Sequence, residues 1–167
     1  LRLDAECIEF SRAGEDVAAR VNCQSGEPAV VGSHVLLAVG RQPNTGDLDL
    51  DRAGVMLDQR GYIVVDDQLR TNVEGIYALG DCNGRGAFTH TSYNDFEIVA
   101  ANLLDGETRR VTDRIHAHAL FIDPPLGQIG MTEKEVRRSG RPALIGTRAM
   151  TRVGRAVATG ERMALMK

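Results

Sequence analysis

The chain lacks several features that would place a 167-residue protein at once. No uninterrupted apolar run is long enough to cross a bilayer and no signal peptide opens the sequence, so a cytoplasmic protein without a membrane partner is expected. Neither charge sign dominates. Twenty basic residues against 23 acidic ones leave a net charge of −3, which gives no reason to expect nucleic acid or an anionic surface as partner. The three cysteines, Cys7, Cys23 and Cys82, are odd in number and without C-x-x-C spacing, and they fit reduced thiols better than a disulfide scaffold or a zinc site. There is no G-x-G-x-x-G, and Cys82-Asn83-Gly84-Arg85-Gly86 reads as a loop rather than a phosphate cradle. Leu48-Asp49-Leu50-Asp51 is not followed by the glycine-bearing loop that calcium requires, so a solvated turn is expected there. No initiating methionine stands at Leu1 and both ends are strand-like, so the chain reads as a piece of a larger protein.

What is present belongs to a folded, soluble chain: 26% charged and 43% apolar residues, enough length for one sizeable core. The organising stretch is Thr71-Asn72-Val73-Glu74-Gly75-Ile76-Tyr77-Ala78-Leu79-Gly80-Asp81. Residues 76–79 form a short apolar run of strand type, which Gly80-Asp81 ends abruptly. Such an ending sets one carboxylate at the carboxyl edge of a sheet, where open α/β sheets hold ligands. Glycine admits close approach to the backbone, and the carboxylate can accept hydrogen bonds from hydroxyls. Gly-Asp alone reads rather as a strand-ending turn with a solvated Asp, and the wider context reverses that preference. Upstream, Val35-Leu36-Leu37-Ala38-Val39-Gly40-Arg41-Gln42-Pro43-Asn44 repeats the device of an apolar strand closed by glycine and a turn.

Between these landmarks the pattern alternates strands and turns. Residues 7–10 and 17–21 flank a turn at Gly14-Glu15-Asp16, which predicts a hairpin. A further turn at residues 24–28 leads through Val30-Val31 toward Val35, and a plain antiparallel meander also satisfies this stretch. Residues 54–57 and 61–65 predict a second hairpin around Asp58-Gln59-Arg60. Thr91, Ser92 and Asn94 are candidate N-caps for a helix through about Leu104, whose positions 96, 99, 100, 103 and 104 predict the buried face, with Gly106 as stop. His116 and His118 share a strand face, a candidate transition-metal pair without an evident third ligand, for which an exposed face is the stronger reading. Thr132 is the expected N-cap of a short helix ending near Gly140, acids early and bases late.

The two glycine-closed strands, at this separation, resemble those of the flavoprotein pyridine nucleotide-disulfide oxidoreductases, the family of glutathione reductase, dihydrolipoyl dehydrogenase and mercuric reductase. Residues 121–133, with their Pro-containing turn and G-x-T-E helix start, resemble the opening of that family's C-terminal interface domain. The resemblance implies an α/β and α+β fold: a fragment of the FAD/NAD(P)-binding Rossmann-like fold, followed by a truncated antiparallel-sheet dimerisation domain. The implied division is residues 1–44 for the end of the NAD(P)-binding domain, 45–114 for the C-terminal part of the FAD-binding domain, and 115–167 for the interface domain. Ala143-Leu144-Ile145 and Met163-Ala164-Leu165-Met166 would serve the interface sheet.

The same resemblance implies site residues. Gly80 and Asp81 would bind the flavin's ribityl chain. Ala87, Phe88, Thr89 and His90 would contact the flavin through the main chain, just before a helix whose positive end favours charge on the reduced ring. Gly40 would lie near the nicotinamide nucleotide. His90 matches a histidine found there in some members and is given no acid or base role. The segment His90-Thr91-Ser92-Tyr93-Asn94-Asp95-Phe96 looks most like the mercuric reductase and dihydrolipoyl dehydrogenase branch.

The implied whole is a homodimeric oxidoreductase that passes electrons from NAD(P)H through FAD to a disulfide or related small-molecule acceptor. This stretch has no catalytic residue, redox cysteine pair or metal ligand of its own, and is expected to be inactive and to retain no cofactor. A non-catalytic dimerisation or scaffold module derived from the family is the alternative, and a metal-binding protein using His116, His118 and a cysteine is a remote third.

Overall fold

The structure is a computed structural model that describes residues 5–22 and 26–167. Cys23, and part of the turn expected at residues 24–28, lie outside the described residues. The chain divides into two compact units, Leu1–Arg41 and Gln42–Lys167.

In the first unit the expected hairpin forms. Strands β1 (Glu6–Ala13) and β2 (Asp16–Asn22) pair antiparallel, with Ala13 opposite Asp16. Gly14 supplies the positive φ of 68° that the tight turn demands. β3 (Ala29–Gly32) pairs antiparallel with β2, giving a three-stranded meander in the order β1-β2-β3. The apolar strand expected at residues 35–39 does not form: the segment is unpaired, and Leu36 is 89% exposed. A strand of this composition is stable only with hydrogen-bonding neighbours and covered faces. Among the described residues no strand pairs with it.

The second unit is built from pinned turns packed under one long helix. The hairpin expected at residues 54–65 is reduced to a single antiparallel bridge, Leu57 to Ile63. Asp58 replaces the missing ladder, its Oδ1 accepting the N–H groups of Arg60 (2.8 Å) and Tyr62 (2.9 Å). Asp66 repeats the device with Gln68 (2.8 Å) and Arg70 (3.0 Å). Inside that second turn Leu69 sits at a φ of 66°, a conformation a bulky residue rarely takes, because its side chain is wholly buried. Residues 76–79 are likewise not a strand. They run extended with one bridge, Arg70 to Tyr77, and the Ala78 N–H donates to the Leu69 carbonyl at 3.1 Å. The turns on either side use up the backbone groups that a sheet neighbour would have taken.

Helix α1 (Thr89–Leu104) begins two residues before the first expected cap. Phe88 occupies the cap position with no side-chain hydrogen bond, and Thr91 is buried inside the helix. The inward face is also turned from expectation. Thr91, Asp95, Ile98, Val99 and Ala101 are buried, while Phe96, Leu103 and Leu104 are exposed. The shift follows from Asp95, whose carboxylate has buried partners that an aromatic ring at position 96 could not satisfy. Ile98 and Val99 close a core with Val55, Ile63, Val65, Leu69, Ala78 and Val111.

Beyond residue 114 the elements are short. β4 (Ala117–Leu120) and β5 (Leu126–Ile129) form an antiparallel pair. α2 (Glu133–Ser139) starts at Thr132 with a complete capping box and ends at Gly140 in the left-handed region, as expected. β6 (Arg148–Ala149) pairs with β7 (Leu165–Met166), and α3 (Gly154–Thr159) lies between them. Residues 143–145, expected to be a strand, are not one, and Leu144 is fully exposed. Two separate two-stranded ladders stand in place of one antiparallel sheet. Among the described residues no helix is long and apolar enough to cross a membrane.

Candidate functional site

The extended residues 76–79 run into a short 3-10 turn, Gly80–Asn83, closed by Gly84 in the left-handed region. Gly80 is buried at a φ of 75°, and a Cβ there would stand 2.8 Å from the Ser92 hydroxyl of α1. Both the backbone angle and the close helix therefore require glycine. Gly84 has the same double constraint, with the Tyr62 ring 3.0 Å from where a Cβ would lie. Asp81 stands exposed on the outside of the turn, and its carbonyl accepts the Gly84 N–H at 3.2 Å.

The turn is held from beneath by a carboxylate. Asp95 is fully buried, and its Oδ2 accepts the Gly80 N–H at 2.9 Å and an Asn83 side-chain N–H at 3.0 Å. Its Oδ1 is ion-paired to the Arg114 guanidinium, whose side chain is only 10% exposed. Arg114 Nε donates to Asn94 Oδ1 at 2.7 Å. Asn83 also donates to the Ala78 carbonyl (3.0 Å) and accepts the Arg85 N–H (2.8 Å). Arg85 in turn donates to Asp67 at 3.2 Å and to the Val65 carbonyl at 2.7 Å. A buried ion pair repays its desolvation better the more of its remaining lone pairs and protons are satisfied, and here Asp95 accepts from Gly80, Asn83 and Arg114 while Arg114 also donates to Asn94. Cys82 lies half-buried with its thiol donating to the Leu79 carbonyl at 3.2 Å. Burial pushes that thiol above its ordinary value of 9.0, with Asp95 and Asp81 adding repulsion, so it is a neutral packing group at pH 7 rather than a nucleophile.

Residues 87–90 lead from this turn into α1 and are exposed. The Phe88 ring stacks on His90 (5.3 Å) and on His118 of β4 (5.7 Å). His90 Nε2 lies 2.7 Å from the Ala117 carbonyl, and because a carbonyl only accepts, Nε2 carries the proton. Together with Thr91, Asn94 and Arg114 these residues line a cleft of about 440 Å³. His116, which precedes β4 and is exposed, and His118, half-buried beneath Phe88, both line it, and β4 is otherwise exposed, as expected. Among the described residues no group of three or more His, Cys, Asp or Glu side chains is placed to hold a metal ion.

Gly80, Asp81, Ala87, Phe88, Thr89 and His90 thus fall within one unit, while Gly40, at a φ of 118°, belongs to the other. Sequence reasoning missed Asp95, Asn83 and Arg114. The legible signal was Asp95 itself, an acid four residues after Thr91 and three before Ile98 on the helix face that turns inward.

Residues 1–95 match the family model described as pyridine nucleotide-disulphide oxidoreductase. The chain belongs to this family. The probable pyridine nucleotide-disulfide oxidoreductase RclA of Escherichia coli strain K12 is 38% identical over 135 residues, covering 80% of this chain and 30% of that protein. The dihydrolipoyl dehydrogenase of Chlamydia pneumoniae is 35% identical, covering 76% and 27%. The mercuric reductase of Streptomyces lividans is 32% identical, covering 93% and 33%. In three dimensions the chain is similar to the HOCl-induced flavoprotein disulfide reductase RclA of Escherichia coli, with a TM-score of 0.82 and 32% identity over 93% of this chain and 35% of that one. The chain therefore spans about a third of the length of the relatives it matches. Although residues 76–79 form no sheet, the family membership stands on these matches.

Proposed function

We propose that these residues are the C-terminal portion of an FAD-dependent oxidoreductase that passes electrons from NAD(P)H through the flavin to a disulfide or related small-molecule acceptor. The supporting observation is the Gly80–Asp81 turn: an exposed carboxylate on a backbone held from below by a buried ion pair. Such a carboxylate suits the hydroxyls of a ribityl chain, which need a fixed acceptor. Ala87, Phe88, Thr89 and His90 contact the flavin through the main chain. The Thr91 and Ser92 N–H groups both return to the Phe88 carbonyl, so by helix geometry the first N–H groups of α1 point out of its end, where they would favour negative charge on a reduced flavin held there. Gly40, with open space where a Cβ would stand, is the residue assigned to the nicotinamide nucleotide, whose close approach its lack of a Cβ would permit.

The bound flavin supplies the two-electron chemistry, and this chain's residues hold and orient it. In this reading residues 1–44 end the NAD(P)-binding domain, 45–114 belong to the FAD-binding domain, and 115–167 begin the interface domain of a cytoplasmic homodimer. The 167 residues alone carry neither dinucleotide fingerprint nor a cysteine pair, and are inactive and flavin-free in isolation. The test is an absorption spectrum. The full-length protein is expected to be yellow and to bleach on addition of NADH or NADPH, and the 167-residue chain to be colourless. A colourless full-length protein contradicts the flavin assignment, and a yellow, active 167-residue chain contradicts the assignment as an inactive portion.

A further inference from the structure

We propose that Asp95 and Arg114 are positioning residues for the Gly80–Asp81 turn, and that they set flavin affinity without touching the flavin. This rests on the functional reading above. Asp95 is wholly buried and both of its oxygens are committed, one to Gly80 and Asn83, the other to Arg114. The Gly80 N–H belongs to the residue immediately before Asp81, and Asn83 follows two residues after it. One carboxylate oxygen thus holds the backbone N–H just before the proposed ligand and the Asn83 side-chain amide just after it. Arg114, from the connector after α1, neutralises that carboxylate and is itself oriented by Asn94 Oδ1.

A buried ion pair adds little net stability over an apolar substitute of the same shape, so what this pair contributes beyond such a substitute is the fixed geometry of the turn. An apolar side chain at 95 would leave the Gly80 N–H unpartnered at a φ of 75°, free to tilt and carry Asp81 with it. An amide at 95 must turn its NH2 either toward Arg114 or toward the Gly80 N–H, so one of the two contacts is lost with either orientation.

The experiment compares FAD binding with stability in the full-length protein stripped of flavin. For Asp95→Asn, the FAD dissociation constant is expected to rise about tenfold or more, the factor that loss of one charge-assisted hydrogen bond produces. Arg114→Met should behave alike, with the double variant no worse than the weaker-binding single. Val55→Ala, which thins the same core away from the turn, should lower the melting temperature while leaving FAD affinity within about twofold. Equal losses of affinity in Asp95→Asn and Val55→Ala, or none in either, overturn the proposal.

A flavin-independent readout is the Gly80 amide in 15N spectra of the flavin-free full-length protein. In Asp95→Asn it is expected to move upfield and exchange faster with solvent. An unmoved Gly80 resonance overturns the positioning role whatever FAD does. Failure of the unmodified full-length protein to bind FAD contradicts the functional reading alone, and the Gly80 resonance then decides the positioning role.

Discussion

Residues 42–114 and 115–167 carry local signals of equal quality, yet they fold to very different degrees. The first stretch holds Val55, Ile63, Val65, Leu69, Ala78, Ile98, Val99 and Val111 in one core. In the second, α2 has a complete capping box and a glycine C-cap, but buries no residue. Phe121, Ile129, Leu144 and Met163 are all largely exposed there. The difference lies in long-range partners. Pinned turns at Asp58 and Asp66 bring distant residues under α1, whereas β4 meets the start of α1 through the His90–Ala117 hydrogen bond and the Phe88–His118 stack rather than through the buried core. Local chemistry makes elements, and burial between distant elements makes a core.

The contrast can be broken most sharply at the buried ion pair. Arg114→Met leaves Asp95 charged, buried and uncompensated, and should lower stability by ~3–5 kcal/mol in urea unfolding. Arg141→Met, in the exposed second stretch, should leave it unchanged. A cavity is the next largest effect. Leu69→Ala, at a fully buried site, should cost ~2–4 kcal/mol, whereas Leu144→Ala should cost less than ~0.5 kcal/mol. Similar losses at the two leucines would mean that residues 115–167 have a core after all. Thr132→Ala removes the α2 cap and should cost ~1 kcal/mol at most, read as lost helicity in circular dichroism rather than as a change in the main unfolding transition.

The smallest effect is one of pH. The Tyr62 N–H, followed by the Arg60 N–H and the Arg60 side chain, holds the Asp58 carboxyl below its ordinary value of 3.8. A carboxyl with a lowered folded value contributes stability that is complete above its unfolded value and lost as pH falls through the folded one. The urea midpoint should therefore drop below about pH 4, and Asp58→Asn should flatten that drop slightly. Glu133 and Glu135 have the same sign, the first through Lys167 and Arg137, the second through the Thr132 side chain and N–H.

What the sequence made legible follows the same division. The hairpin around Gly14 and the α2 boundaries at Thr132 and Gly140 depend on residues within a few positions of one another, and both were readable. The strands at residues 35–39 and 76–79 were not realised, because a strand depends on neighbours that no local pattern supplies. The inward face of α1 was misplaced by one residue, since Phe96 offers more apolar area than Asp95 but only Asp95 can answer the Gly80 N–H. Gly80 and Asp81 could be singled out from the sequence, whereas the network beneath them could not. The partners of Asp95 lie 12 to 19 residues from it, beyond the reach of any periodic pattern.

The most direct measurement is an FAD titration of the full-length protein beside its Asp81→Ala variant, followed by quenching of flavin fluorescence. Tenfold or greater weakening of binding in the variant, with an unchanged melting temperature of the flavin-free protein, is the predicted result. Equal affinities would remove Asp81 from the flavin site and contradict the proposed function at its centre.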